Sequence, residues 1–285
     1  MTQDRVSEIP EDRHLLIIGA MKCATTSLFS YLAEHPAIAP CSVKEPEFFS
    51  EHQGHVARAA RYQDLWDFDP ARHAYAMEAS TGYTKWPEQG VAERIHAYGI
   101  RPKLVYVVRD PFARIESHYN FVLHDPAWEA RGMTHESLVQ NSDYAAWADA
   151  YAAVFGAENL LLLDYAELVA DPTRAVNRVA AFLGIAPMAA VADTSARNVT
   201  ERPRSGLERR IRRLVPGLGS GAPEALKRPV RGLLAALRPE KGRMSPAERA
   251  EIAAYLAPGM ARLGSVYGFD VAQWGFVPAP LAKAV

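Results

Sequence analysis

The run with the clearest chemical potential is Gly19-Ala-Met-Lys-Cys-Ala-Thr-Thr-Ser27, which lies between an apolar segment and a helical one. Backbone N–H groups and the positive end of the helix dipole attract anions at such a junction. Lys22 adds a full positive charge, and Thr26 and Ser27 add hydroxyl donors. The run therefore predicts a phosphate-binding loop. Its expected ligand contacts come from Lys22, Cys23, Ala24, Thr25, Thr26 and Ser27.

This loop departs from the standard nucleoside-triphosphate pattern G-x-x-x-x-G-K-[ST], which needs a glycine before the lysine and a hydroxyl after it. Met21 and Cys23 occupy those two positions. A P-loop kinase or nucleotide hydrolase using Mg-ATP stays open as an alternative, with Asp110 as its Mg²⁺ ligand. We prefer to interpret Asp110 as a helix cap, because Pro111 follows it and proline is common at the first helical position.

A second candidate site follows the apolar run from Leu104 to Val108. Arg109 comes directly after this run, and the carboxyl ends of parallel strands form the ligand-binding edge of an α/β sheet. Its guanidinium group can form forked hydrogen bonds with a phosphate, to which Ser117 can donate a hydroxyl. The alternative interpretation is a helix start with a local ion pair between Arg109 and Asp110.

The elements that would position these residues alternate between strands and helices. Residues 15–18 and 104–108 are continuous apolar runs, typical of strands buried on both faces of a parallel sheet. A helical pattern follows each run almost at once. The alternation predicts an α/β protein with a P-loop-like three-layer fold, in which helices flank a central parallel sheet. Further strands are predicted at 76–79 and 160–163, and further helices at 25–33, 172–183 and 246–263.

Together, Lys22 with Thr25-Thr-Ser27 and Arg109-Asp-Pro with Ser117 resemble the two signatures with which sulfotransferases bind 3′-phosphoadenosine-5′-phosphosulfate (PAPS). They occur in the family's order and at its usual separation. The resemblance implies that the loop residues hold the 5′-phosphosulfate, and that Arg109 and Ser117 hold the 3′-phosphate. It also implies in-line attack on sulfur, with Lys22 stabilising charge on the leaving phosphate.

The run Lys44-Glu-Pro-Glu-Phe-Phe49 resembles a segment of the heparan-sulfate-type carbohydrate sulfotransferases and their bacterial relatives. The resemblance implies that Glu45 is the catalytic base, which takes the proton from the attacking acceptor hydroxyl. It also implies that Lys44 stabilises charge near the transferring group. Two other side chains compete for the base role, the carboxylate of Glu47 and the imidazole of His118, of which we interpret the imidazole as structural.

The run Glu78-Ala-Ser-Thr-Gly-Tyr83 resembles the family segment that lines the acceptor cleft, which implies substrate contacts for Glu78, Ser80 and Tyr83. Trp86 can stack on a sugar or aromatic acceptor, although core packing would explain this residue equally. The heparan enzymes usually have a lysine where this chain has Ala79, which argues against a heparan-like acceptor. We therefore expect sulfuryl transfer from PAPS, without a metal, to a hydroxyl or amine of a small molecule, carbohydrate or natural product. A catalytically inactive nucleotide-binding protein is a further alternative.

The overall composition excludes other classes of function. The 32 Lys and Arg residues nearly balance the 33 Asp and Glu residues, so we expect no field that recruits nucleic acid or an acidic membrane. Cys23 and Cys41 are too few for a disulfide framework and lack the neighbours that a zinc site needs. This cysteine usage fits a reducing cytoplasm.

We expect a single sulfotransferase domain over residues 14–274, between an N-terminal extension (1–13) and a C-terminal tail (275–285). No signal peptide or membrane anchor is recognised, and no stable membrane association is expected. Residues 206–243 are basic and predicted to form a helical lid or insertion, or alternatively two solvated helices. By resemblance, Arg202 and Arg204 lie in a loop that closes over PAPS. The oligomeric state stays open.

Overall fold

The computed structural model describes residues 9–52, 61–123, 131–192 and 241–277. At the centre, these residues form a sheet of five strands in the order β2-β3-β1-β4-β5. Each neighbouring pair is parallel. This architecture confirms the predicted α/β class with a central parallel sheet. The strands are β1 His14–Gly19, β2 Ile38–Pro40, β3 Tyr75–Ala79, β4 Lys103–Val108 and β5 Leu160–Asp164.

Helices flank the sheet and connect its strands. In chain order, the described α-helices are α1 Thr25–Leu32, α2 Val91–Tyr98, α3 Pro111–Val122, α4 Glu136–Val139, α5 Tyr144–Phe155, α6 Tyr165–Ala170, α7 Pro172–Leu183 and α8 Pro246–Tyr267. Short 3₁₀ helices lie at Tyr62–Leu65, Thr81–Thr84, Gln140–Ser142, Ala157–Asn159 and Ala272–Trp274. α1 packs against β1, β2 and β3, whereas α5, α6 and α7 contact β5.

The core explains the two apolar runs of the sequence. Residues 15–18 of β1 and 104–108 of β4 are fully buried, as expected for inner strands that are covered on both faces. β1 and β4 are also neighbours in the sheet. Because they are parallel, the loop after β1 and the residue after β4 meet at the same edge.

Two predicted helix starts are confirmed by their capping contacts. Asp110 accepts hydrogen bonds from the N–H groups of Phe112 and Ala113, the first at 2.8 Å, and caps α3. Asp171 accepts one from the N–H of Arg174 at 2.9 Å and caps α7. Each cap satisfies N–H groups that have no acceptor within the helix.

The structure differs from the sequence predictions at short elements and at a helix end. Strand β2 was missed because it has only three residues and ends in Pro40 at the sheet edge. α8 continues to Tyr267 and contains Pro258. Ile9 and Phe276 also belong to the hydrophobic core, and the domain limits of 14 and 274 stay a prediction.

Most of the predicted basic segment lies outside the residues that the structure describes. Arg202, Arg204 and residues 206–240 lie outside the described residues, as do the first eight residues and those after 277. Within the parts of the chain that the structure describes, no helix combines the length and apolar character needed to cross a membrane.

Candidate active site

The loop after β1 has the backbone of an anion cradle. Lys22 and Ala24 have positive φ angles, 74° and 59°, which turn the chain sharply into α1. Ala24 is the N-cap of α1, and no described side chain caps its first turn. The N–H groups of that turn and the helix dipole therefore face the loop, as the sequence predicts for an anion site.

Gly19 allows a close approach between this loop and the segment after β3. An added Cβ at Gly19 would lie 2.1 Å from Oγ1 of Thr84, and the φ of +145° disfavours any other residue. Thr84 Oγ1 also donates a hydrogen bond to the carbonyl of Ile18 at 2.8 Å. These contacts join the predicted phosphate loop to the predicted acceptor segment.

The structure brings Lys22 and Arg109 together, although 87 positions separate them in the sequence. Nη1 of Arg109 donates a hydrogen bond to the carbonyl of Lys22 at 3.1 Å. The guanidinium carbon lies 4.3 Å from the ring centroid of Tyr165. Lys22 is half-buried, with Nζ 4.5 Å from the ring centroid of Phe121. Burial, followed by the charge of Arg109, lowers the pKa of Lys22.

The hydroxyls of the loop differ in accessibility. Thr25 and Ser27 are largely buried, whereas Thr26 is half-buried. Cys23 is fully buried, and its N–H donates to the carbonyl of Ala20 at 3.2 Å. Burial raises the pKa of the Cys23 thiol to about 12, so it stays protonated at neutral pH. Ser117 lies half-buried on α3, the helix that begins beside Arg109.

Lys44 and Glu45 form an ion pair near the protein surface. Their Nζ and Oε1 atoms are 3.9 Å apart, and the side chains are 54% and 39% exposed. Such a pair contributes little to stability because water screens it and both side chains lose freedom. The carboxylate of Glu45 remains accessible to an acceptor, which the base role requires.

Glu47 has a different environment, although it lies only two residues away. It is 6% exposed, and its Oε1 accepts a hydrogen bond from the N–H of Gly82 at 2.8 Å. Its own N–H donates to Oγ of Ser80 at 3.1 Å. Burial raises the pKa of Glu47 to about 7, and the charges of Glu78 and Glu45 act in the same direction. Glu47 is therefore a buried carboxyl group held by the segment after β3.

The predicted acceptor segment is buried, which corrects part of the sequence interpretation. Glu78 and Ser80 have 0% exposure, so direct contact of their side chains with an acceptor does not agree with the structure. Tyr83 is buried to the same degree but lines a cleft that Trp86 also lines, so its acceptor contact stays a prediction. Glu78 accepts hydrogen bonds from the hydroxyls of Tyr62 at 2.6 Å, Ser80 at 2.8 Å and Tyr83 at 3.0 Å. The physical reason is that buried carboxylates need several donors, and this network supplies them.

Trp86 lines a cleft of ≈ 290 Å³ next to α2 and α5, together with Trp147 and Tyr255. The lining of this cleft includes neither Lys22 nor Glu45. The N–H of Trp86 donates to Oδ1 of Asn141 at 2.6 Å, which fixes its backbone. An acceptor contact of Trp86 therefore stays a prediction.

His118 lies close to the site but is unsuited to act as a general base. It is 3% exposed, and its Nδ1 lies 3.4 Å from Nη1 of Arg114. Burial and the positive charges of Arg114, Lys85 and Lys22 hold the pKa of His118 well below its usual value. The imidazole thus stays neutral and binds protons poorly at neutral pH, in agreement with the structural interpretation.

The sequence analysis missed Lys85 and Arg114. Arg114 is 0% exposed and donates to the carbonyl of Leu138 and to the hydroxyl of Ser142. Lys85 is half-buried; burial lowers its pKa, and the negative charges of Glu47 and Glu45 act in the opposite direction. Only the polar segment around Lys85 could have drawn attention to it, and the same pattern is typical of a solvated lysine.

Comparisons with known proteins agree with this geometry. Residues 12–209 match the model of the sulfotransferase domain family. Heparan sulfate glucosamine 3-O-sulfotransferase 3B1 of Mus musculus is 31% identical over 185 residues, which cover 60% of this chain and 45% of that protein. Heparan sulfate glucosamine 3-O-sulfotransferase 6 of Homo sapiens is 30% identical over 182 residues, covering 60% and 52%. The chain thus matches about half the length of these curated relatives.

A solved structure supports the fold independently of these sequences. The sulfotransferase from Alicyclobacillus acidocaldarius superposes with a TM-score of 0.65 at 24% identity, covering 94% of this chain and all of that one. This similarity extends the match in fold beyond the residues of the family model. With its parallel sheet, its loop after β1 and a family match over most of its length, the chain belongs to the sulfotransferase domain family.

Proposed function

We propose that this protein transfers a sulfuryl group from PAPS to a hydroxyl or amine of a small-molecule or glycan acceptor. The contact between Arg109 and the carbonyl of Lys22 is the observation that carries the proposal, because it joins the two predicted donor-binding motifs in one site. The residues fit a doubly anionic donor. Lys22, Arg109 and the first turn of α1 all present positive charge or N–H groups at one sheet edge.

In the proposed mechanism, Glu45 accepts the proton of the acceptor hydroxyl as the oxygen attacks sulfur. The acceptor O–H bond breaks and an O–S bond forms, while the bond between sulfur and the bridging phosphate oxygen breaks. PAPS supplies the activated sulfuryl group. Lys22 stabilises the charge that develops on the leaving phosphate, and Lys44 contributes positive charge beside Glu45.

We expect this reaction to proceed without a metal ion. A transferring sulfuryl group carries less negative charge than a phosphoryl group, so lysine and backbone dipoles can provide the stabilisation that Mg²⁺ gives in kinases. Asp110 supports this view, because its carboxylate caps α3. Activity should therefore persist in excess EDTA.

The acceptor class is inferred from the cleft that Trp86 lines, which is separate from the phosphate loop after β1. The relatives named above carry heparan sulfate in their names, whereas Ala79 takes the place of a lysine usual in such enzymes. The cleft beside Trp86 has aromatic walls, which suit a sugar or aromatic ring. Because neither Lys22 nor Glu45 lines this cleft, we propose that it holds a ring of the acceptor that lies away from the reacting group. Replacing Trp86 by alanine should then raise the KM for acceptor more than that for PAPS.

We also infer a cytoplasmic location. Among the described residues, Cys23 and Cys41 are both buried thiols, and burial raises the pKa of each to about 12. Protonated, buried thiols persist in a reducing compartment. Fractionation of cells that produce the protein, with detection by antibody, tests this inference directly.

The first test is calorimetric titration with 3′-phosphoadenosine-5′-phosphate, the nucleotide product, against adenosine diphosphate with Mg²⁺. We expect metal-independent binding of the former that weakens at least about 10-fold in Arg109→Ala, because a charged hydrogen bond is lost. Arg101→Ala is the matched control, since Arg101 is exposed and pairs with Glu11 at 3.4 Å. Binding of adenosine diphosphate alone would favour the kinase alternative.

The second test separates catalysis from binding. Glu45→Gln should bind 3′-phosphoadenosine-5′-phosphate normally and lose turnover by about 100-fold or more, since general base catalysis contributes that much. Turnover is followed with radiolabelled PAPS and a panel of hydroxyl and amine acceptors. An unchanged rate in this variant would show that Glu45 is not the base. A parent that binds 3′-phosphoadenosine-5′-phosphate but transfers no sulfuryl group to any acceptor would favour the inactive binding protein.

A further inference from the structure

The ring of Phe121 lies against the ammonium group of Lys22. Nζ of Lys22 is 4.5 Å from the ring centroid, and an ammonium group within about 6 Å of an aromatic centroid is attracted by the ring quadrupole. None of the ion pairs among the described residues includes Lys22. The neutral ring therefore holds the ammonium group without a carboxylate that an anionic donor would first have to displace.

The backbone of Lys22 is held by a separate contact. Nη1 of Arg109 donates a hydrogen bond to the Lys22 carbonyl at 3.1 Å, and the φ of 74° at Lys22 belongs to the sharp turn into α1. The side chain of a lysine can still rotate, and ordering such a long side chain costs conformational entropy. A contact that orders the ammonium group before the donor binds removes part of that cost from the reaction.

Phe121 itself stands on a fixed part of α3. It lies in the last turn of the helix, one turn after Ser117 and on the same face. The residue before it, Asn120, is 5% exposed and forms two hydrogen bonds with Gly242. Its Oδ1 accepts the N–H of Gly242 at 2.8 Å, and its Nδ2 donates to the carbonyl of Gly242 at 3.0 Å. These bonds fix the end of α3, and with it the place from which the ring reaches Lys22.

Packing in the core does not account for the place of Phe121. The side chain is 47% exposed and is not part of the hydrophobic core formed by the described residues. A single exposed apolar side chain needs no functional explanation by itself. This one, however, presents a ring to the ammonium group of the loop that is predicted to hold the 5′-phosphosulfate. The contact with Lys22 gives the position of the ring a role.

We propose that Phe121 is a positioning residue for sulfuryl transfer, whose ring holds the ammonium group of Lys22 where negative charge develops on the leaving phosphate. This inference rests on the proposed function, and it adds to that function a residue outside both donor-binding motifs. Phe121 acts through Lys22. Because the ring is neutral, it places the positive charge without cancelling it.

The kinetic test compares Phe121→Leu and Phe121→Tyr with the parent protein, using radiolabelled PAPS. Leucine keeps an apolar side chain but has no ring, so we expect kcat to fall about 3- to 10-fold, the size of a partly exposed cation–π contact. Tyrosine keeps the ring and should keep most of the rate. Phe182→Leu is the matched control, because the Phe182 ring lies 5.2 Å from Nζ of Lys103, which begins β4 at the end opposite to Arg109. This control should keep the kcat of the parent.

A double-mutant cycle tests whether Phe121 acts through Lys22. The nucleotide product 3′-phosphoadenosine-5′-phosphate carries the charge that develops on the leaving phosphate, so calorimetry of its binding reports on the contact without turnover. Phe121→Leu should weaken this binding about 3-fold in the parent and have no further effect in Lys22→Met. Equal weakening in both backgrounds would show that the ring does not act through Lys22.

NMR tests the contact itself in the protein without nucleotide. Lysines are labelled with ¹³C at Cε, and Lys22→Met assigns the Lys22 signal. The ring should move the signal of the attached Lys22 protons upfield, and Phe121→Leu should abolish this displacement. The corresponding Lys103 signal should change in Phe182→Leu and stay unchanged in Phe121→Leu.

The outcomes separate the two proposals. If the parent binds no 3′-phosphoadenosine-5′-phosphate and transfers no sulfuryl group, the proposed function fails and this inference fails with it. If the parent is active but Phe121→Leu keeps its kcat, its nucleotide affinity and the Lys22 signal, only the positioning role is overturned. If Phe121→Leu raises the KM for acceptor while the Lys22 signal and the nucleotide affinity stay as in the parent, the ring contacts the acceptor instead, which also overturns it.

Discussion

Replacing Glu47 by glutamine should stabilise the protein relative to the parent, and this gain should be larger at alkaline than at acid pH. Burial raises the pKa of Glu47 from 4.5 to about 7 in the folded protein. The difference of about 2.5 pKa units corresponds to about 3 kcal/mol. Below pH 4.5 the Glu47 carboxyl group is protonated in both the folded and the unfolded state. Above about pH 7 it is ionised in both, and the folded state then holds a buried charge that water hydrates in the unfolded state. The parent therefore loses this stability as the pH rises through that window.

Glutamine avoids this loss because it has no proton to release, and its Oε1 can still accept the N–H of Gly82. Between about pH 5 and about pH 8, the free energy of unfolding of Glu47→Gln should gain about 2.5 kcal/mol on that of the parent. Urea unfolding at a series of pH values measures it. Glu93→Gln, at an exposed position, controls for the loss of one negative charge. An equal difference at both pH values would refute the reasoning.

Three further predictions concern the scaffold of the site. Gly19→Ala should lower the free energy of unfolding by about 2 kcal/mol or more, because its Cβ would meet Thr84 at 2.1 Å, and calorimetry should show weaker binding of 3′-phosphoadenosine-5′-phosphate. Tyr62→Phe should cost about 1–3 kcal/mol in urea unfolding, since Glu78 loses a donor at 2.6 Å; parent-like stability would show that the network is redundant. Asp110→Ala should lower the free energy of unfolding, measured by thermal unfolding, by about 1 kcal/mol because α3 loses its cap. Sulfuryl transfer by this variant should remain independent of Mg²⁺.

The elements with strong local signals were predictable. The apolar runs of β1 and β4 and the caps at Asp110 and Asp171 appear where the sequence indicates them. Each signal depends on neighbouring residues alone. β2 was missed because three residues ending in proline carry too little periodicity, and its pairing with β3 comes from distant parts of the chain.

One contact of the candidate site was predictable from the order of strands and loops along the chain. Lys22 and Arg109 were expected at one sheet edge, and their contact lies there. Burial was not predictable in the same way. Glu78 and Ser80 are polar enough to suggest an open cleft, but a hydrogen-bond network that includes Tyr62 holds them inside. Tyr62 comes from a separate segment, so its contribution has no local sequence signal.

By itself, the sequence determined the fold class, the family and the loop in which positive charge and N–H groups can meet an anion, because these depend on local patterns of residue type. Only the tertiary structure decided how the acidic residues divide their roles. Glu45 is 39% exposed, whereas Glu47 and Glu78 are buried. The reason is physical: exposure and the charges nearby set whether a carboxylate is hydrated, paired or protonated, and both depend on segments that meet only when the chain folds.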